Sequence, residues 1–158
     1  MKMASKYILI ASVLLGIYSC AKKDSNNTPS TPAPVITNFS VNGVAAISPI
    51  PGATKSGGSY VVSATDGTYG YPQVKITFPD TIAPASGPYS IINGGPSGYR
   101  CSFLLIPDVS GNLATASSGV VTVSAAPTPN NTASFSNIVC RSTATVSVTY
   151  TVSGTIKY

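Results

Sequence analysis

From Val35 onward, apolar and polar residues alternate with period two in most of the recognisable segments. At the C-terminus, Val146, Val148, Tyr150, Val152, Ile156 and Tyr158 hold even positions, and Thr145, Ser147, Thr149, Thr151, Ser153, Thr155 and Lys157 hold odd ones. Such alternation turns one face to a core and the other to water, and so predicts a long strand bent at Gly154, the one interruption. Were that strand unpaired on one side, its free edge would be a template for strand addition. Val74, Ile76 and Phe78 alternate with Gln73, Lys75 and Thr77, and Tyr99, Cys101, Phe103 and Leu105 alternate with Arg100, Ser102 and Leu104. Val121 and Val123, and Phe39 and Val41, repeat the pattern on shorter runs, and further strands are expected near 58–65, 87–92 and 132–140. No stretch of this region shows helical spacing built from good helix formers.

Seven to eight short antiparallel strands predict an all-β domain over 35–158, a β-sandwich with immunoglobulin-like architecture. It is not a true immunoglobulin domain. The chain has no Trp, and its two domain cysteines lie too close in sequence for the usual inter-sheet bridge.

The turns carry recognisable chemistry. Asp66-Gly67 is a preferred pair for a two-residue hairpin tip, and Asn93-Gly94-Gly95-Pro96 and Ser110-Gly111-Asn112 also read as turns. A tip at Asp66-Gly67 pairs Ala64 with Tyr69 and Val62 with Tyr71. Yet Tyr69 and Tyr71 have the opposite parity to Val74, Ile76 and Phe78. One strand cannot bury both sets, so a bulge or break is expected at Pro72-Gln73. Tyr69-Gly70-Tyr71 then has two readings. The pairing register favours cross-strand core partners of Ala64 and Val62. The alternative is a pair of exposed aromatic faces that stack on a sugar or a partner protein.

The first nineteen residues follow a different plan. Lys2 and Lys6 precede an apolar run, Tyr7 to Leu15, which ends at Gly16-Ile17-Tyr18-Ser19-Cys20. A basic start, a short apolar run and small residues before a cut describe a secretory signal peptide, and the run is too short for a membrane span. Ile17-Tyr18-Ser19-Cys20 resembles a bacterial lipobox, with an aliphatic residue three before the Cys and a small one just before it; Tyr18 departs from the commoner residue. The chain thus resembles the small Gram-negative lipoproteins. That resemblance implies a signal peptide over 1–19, a lipid-modified Cys20 and, with Ala21 rather than Asp next, an outer-membrane location on the periplasmic or the cell-surface side. Residues 20–34 are then the acylated N-terminus and a disordered tether, AKKDSNNTPSTPAP following the Cys, with a mean reach of roughly 20 Å. Membrane lipid is the partner expected through Cys20.

Composition narrows the chemistry. The 158 residues contain no His, no Glu and only four acidic side chains, all Asp. A His-based triad or His-containing metal site is therefore excluded. The net charge of +5 falls to +2 in the domain, where Lys55, Lys75, Arg100, Arg141 and Lys157 oppose Asp66, Asp80 and Asp108. These cations are dispersed, unlike the clustered Lys and Arg of a nucleic-acid surface, so nucleic acid is not expected as a partner. Glycoside hydrolysis would need two of the three domain aspartates converging in a cleft, and the expectation is a protein that is not an enzyme, with no cofactor and no metal. Asp108 and Asn112 could contribute oxygens to Ca²⁺, but fit a polar turn better. With Cys20 assigned to lipid, Cys101 and Cys140 form an even pair in an exported protein, which predicts a disulfide, two buried free thiols being the other arrangement. Asp80-Thr81-Ile82 resembles a bacterial O-glycosylation acceptor. The functional expectation is a non-enzymatic binding or adhesion domain for glycan or protein, the alternative being an assembly subunit that associates through sheet edges.

Overall fold

A computed structural model describes residues 35–158 except 128, 129 and 145. The expectations for the signal peptide, Cys20 and the tether lie outside the described residues.

Eleven strands form one mostly antiparallel sheet, and no helix occurs among the described residues. They are β1 (Asn38–Val41), β2 (Val44–Ala45), β3 (Ile50–Ser56), β4 (Ser59–Thr65), β5 (Gln73–Pro79), β6 (Gly87–Ile91), β7 (Arg100–Ile106), β8 (Ala114–Ala116), β9 (Val120–Ser124), β10 (Thr132–Ser142) and β11 (Thr149–Lys157). The ladder runs β2-β1-β11-β10-β9-β6-β7-β5-β4-β3, and β8 additionally pairs with both β10 and β7. The hydrogen-bonded path therefore closes on itself around β10, β9, β6, β7 and β8. The β6–β7 pair is parallel; the other pairs are antiparallel.

The period-two reading places the core correctly in the main strands. Val74, Ile76 and Phe78, then Cys101, Phe103 and Leu105, then Val121 and Val123, are all buried. Phe103 of β7 and Phe135 of β10 meet edge to face with centroids 5.1 Å apart, and Phe78 meets Tyr89 of β6 at 4.9 Å in the same manner. Edge-to-face contact sets the positive ring edge against the negative face, which adds to the burial of two large apolar surfaces.

Four features depart from the pattern. Strands β2, β3 and β8 raise the count above seven or eight. They are short or exposed, so periodicity has little to report: every residue of β3 except Gly52 is exposed, and β8 has three residues. The C-terminal strand starts at Thr149, and Val146 and Val148 are exposed in the preceding loop. Third, β11 has no free edge. It pairs with β10 on one side and β1 on the other; Asn42 and Thr37 extend the β1 side, through Asn42 with the Thr151 backbone and Thr37 with Lys157. It therefore offers no template for strand addition; β2 and β3 end the ladder instead. Fourth, a bulge lies in β10, whereas at Pro72-Gln73 the expected interruption is a break, β5 starting at Gln73. Phe135 faces Gly154 and Ile138 faces Val152, so Ser136 and Asn137 together oppose Ser153. The extra residue flips the parity, and that is why Ala133 and Phe135 share the core with Ile138 and Cys140.

The expected bridge between Cys101 and Cys140 is not formed; both are free, buried thiols. Register explains it. Cys101 lies level with Ile91 of β6, whereas Cys140 lies level with Ala116 of β8 and Tyr150 of β11. β8 lies between their strands and pairs with both, and no ladder register sets the two cysteines opposite each other. Burial pushes both thiols up to about 12, and they act as small apolar side chains in the core.

Candidate functional site

The registers gather the connections into two ends. Val41 lies near the start of β11, Thr65 opposite Gln73, Gln73 opposite Ile106, and Ser142 opposite Ala114. The turn after β1, the 46–49 connection, the 66–72 loop, the 107–113 loop and the end of β10 thus share one end. Val35, where the described chain begins, and Tyr158, where it finishes, lie at the other, with Thr37 bonded to Lys157. Several large apolar side chains stand in water at the loop end: Val44, Ile47, Tyr69, Val109 and Val146, with Tyr69 77% and Val109 84% exposed.

Tyr69 and Tyr71 belong to this end. They are not strand partners of Ala64 and Val62, which pair instead with Val74 and Ile76. The link between β4 and β5 is a seven-residue loop, 66–72, rather than a two-residue turn, and that resolves the parity conflict without a bulge. Asp66 organises the loop. Its buried carboxylate accepts hydrogen bonds from the backbone N–H of Ile47 at 2.6 Å, Thr68 at 2.9 Å and Tyr69 at 3.0 Å. Its own N–H donates to the Pro72 carbonyl, its carbonyl accepts from Gly70, and Gly67 N–H donates to the Ile47 carbonyl. The 66–72 loop and the 46–49 connection are thereby stitched together. Gly67 is required at the seam, because a Cβ there would meet the Ser48 carbonyl oxygen. Donation from Ile47, then Tyr69, holds the Asp66 carboxyl below its ordinary value against the opposing effect of burial.

Between these loops lies a cavity of about 330 Å³. Tyr69, Tyr71 and Tyr150 line it, with Val41, Val44, Pro72, Pro107 and Asn42. Tyr71 and Tyr150 are half-buried, which leaves part of each ring available. Asn42 spends its Oδ1 on the Thr151 N–H, and its amide nitrogen has no protein partner among the described residues. Among the described residues no Lys or Arg lines the cavity. Tyr150 and Asn42 were not singled out by the sequence: Tyr150 read as one more core position of a strand, and nothing local marks Asn42 as a neighbour of residues 69–71.

The other candidates resolve simply. Asp108 accepts from the backbone N–H of Ser110 at 2.9 Å and from its hydroxyl, and Asn112 donates to the Ser110 hydroxyl at 2.8 Å. The Asp108–Asn112 segment is a self-satisfied polar turn. Asp80 sits at the opposite end of β5 from Asp66, in an exposed bend with φ near +68° that also displays Thr81 and Ile82. A wider hollow of about 870 Å³ runs from the first described residues, Val35–Asn38, and Tyr158 to Ala46, Ser48, Pro49 and Pro51, so that it reaches the 46–49 connection and shares Ala46 with the first cavity.

No family model, curated protein or solved structure matches the chain.

Proposed function

We propose that this chain is an envelope lipoprotein of the outer membrane, held by acylated Cys20, whose two-layered, sandwich-like β-domain binds a glycan or protein ligand through the Tyr69–Tyr71 end. The observation that carries the reading is the stitched loop 66–72. It frames an aromatic cavity at the loop end of the domain. Loops held by a scaffold are where binding residues concentrate.

A hydrolytic role has little to draw on at this end. The Asp66 carboxylate already accepts three backbone N–H groups and is held ionised, so it is neither a proton donor nor a free base at neutral pH. Assembly through sheet edges remains the alternative, now at β2 or β3. Pro51 and Lys55 on β3 are residues that blunt a free edge.

Two measurements test the proposal. Metabolic labelling with an alkynyl fatty acid is expected to mark the protein, and Cys20→Ala to abolish the label and release it from the membrane; label that survives the substitution ends the anchor assignment. Immobilised full-length protein is expected to retain purified envelope glycan or protein, and the Tyr69→Ala/Tyr71→Ala variant to lose that retention. Undiminished retention by the variant ends the site assignment.

A further inference from the structure

We infer that the cavity takes one uncharged pyranose unit of a glycan, its C–H face stacked on the tyrosines. The inference deepens the binding-module reading and rests on it.

Size sets the first limit. At about 330 Å³ the cavity lies at the lower end of the range for small-ligand sites. It admits one ring-sized unit and no folded protein surface. The lining sets the second. A pyranose has an apolar face of C–H groups and a rim of hydroxyls, so it needs flat apolar walls with neutral hydrogen-bonding groups at their edges. Tyr69, Tyr71 and Tyr150 offer faces and phenolic hydroxyls that both donate and accept, Pro107 adds a further apolar wall, and Asn42 offers its amide nitrogen.

Charge sets the third. Asp66 is the only ionised side chain in the lining, and no cation among the described residues offsets it. Its field disfavours a uronate, sulfate or phosphate. Its oxygens are occupied by the N–H groups of Ile47, Thr68 and Tyr69, so they are not open to the bidentate grip of an arginine from a peptide ligand. The same hydrogen bonds fix the loop before any ligand arrives, which lowers the ordering cost of binding.

The test is ligand-observed saturation-transfer NMR on the full-length protein in detergent micelles. The probes are the methyl pyranosides of glucose, galactose and mannose and the corresponding uronates. The expected result is transfer to at least one neutral pyranoside, concentrated on the C–H protons of one ring face, with the uronate weaker. Tyr69→Ala and Tyr71→Ala should each weaken binding about tenfold, and Tyr69→Phe should keep most of it. Tyr69 is largely exposed, so its substitutions leave the fold intact. Transfer to no neutral pyranoside, equal transfer to the uronates, or transfer that survives both alanine substitutions overturns the inference. If a protein ligand is held through Tyr69 and Tyr71 while no pyranoside is, the sugar assignment falls and the binding module stands; if neither is held, both fall.

Discussion

Gly154 sits in the middle of β11, opposite Phe39 of β1 and Phe135 of β10, and replacing it by alanine probes how tightly β1 is laid on the sheet. An added Cβ would stand 2.6 Å from Phe39 Cβ and 2.7 Å from Phe39 Cα, and against the Asn38 carbonyl oxygen. Carbon atoms prefer about 3.5–4.0 Å, so β1 would have to retreat by roughly 1 Å, enough to stretch ladder hydrogen bonds past their useful range. Two outcomes bracket the cost. If β1 shifts and stays, overpacking costs about 1–3 kcal/mol. If β1 detaches, Phe39, only 3% exposed, surrenders burial worth about 1.5–3 kcal/mol. Either way a loss of about 1–3 kcal/mol is expected, or a fall in Tm of roughly 3–15 °C at about 3–5 °C per kcal/mol for a domain of this size. Gly52→Ala is the control: its Cβ meets only the Ser63 hydroxyl, at 3.0 Å, a side-chain tip that can turn away. Gain in backbone rigidity offsets that contact, so its effect should stay within about 0.5 kcal/mol. Urea melts monitored by circular dichroism read both variants, with Phe39→Ala added in a double-mutant cycle. If β1 detaches in Gly154→Ala, the second substitution adds little. A Gly154→Ala protein as stable as the parent, or one equal to Gly52→Ala, would refute the account.

Further expectations follow from the core and the loop. Phe103→Ala removes a fully buried ring and its contact with Phe135, and should cost about 3–5 kcal/mol in chemical denaturation; a loss below about 1 kcal/mol would contradict the packing described. Cys101 and Cys140 should resist a thiol reagent in the native protein and both react after unfolding, with or without reductant; native labelling, or unfolded protein that reacts only after reduction, would sink the free-thiol assignment. Because the Asp66 pKa is lowered in the fold, its contribution is fully present above its ordinary value of 3.8 and is lost as pH falls through the lower, native one. Amide NMR in acid should therefore show Ile47, Thr68 and Tyr69 shifting together below that ordinary value; independent behaviour of the three would break the proposed stitch. Asp66→Asn should loosen the same three amides at neutral pH.

Period-two alternation alone determined the all-β class and most of the core, because a strand's side chains must alternate and one face must leave water. It identified Val74, Ile76, Phe78, Phe103, Leu105, Val121, Val152 and Ile156 without any knowledge of partners. It also exposed the parity conflict between Tyr71 and Val74, though not its solution. Pairing decided the rest. Whether Asp66 sits in a tight turn or stitches a seven-residue loop depends on Ile47, distant in sequence, and so does the fate of the two tyrosines. The separation of Cys101 from Cys140 follows from strand order, and the inward face of both halves of β10 from a bulge opposite Ser153. These are properties of neighbours brought together by the fold. Local propensity fixes which side of a strand is apolar; only the ladder fixes what that side meets.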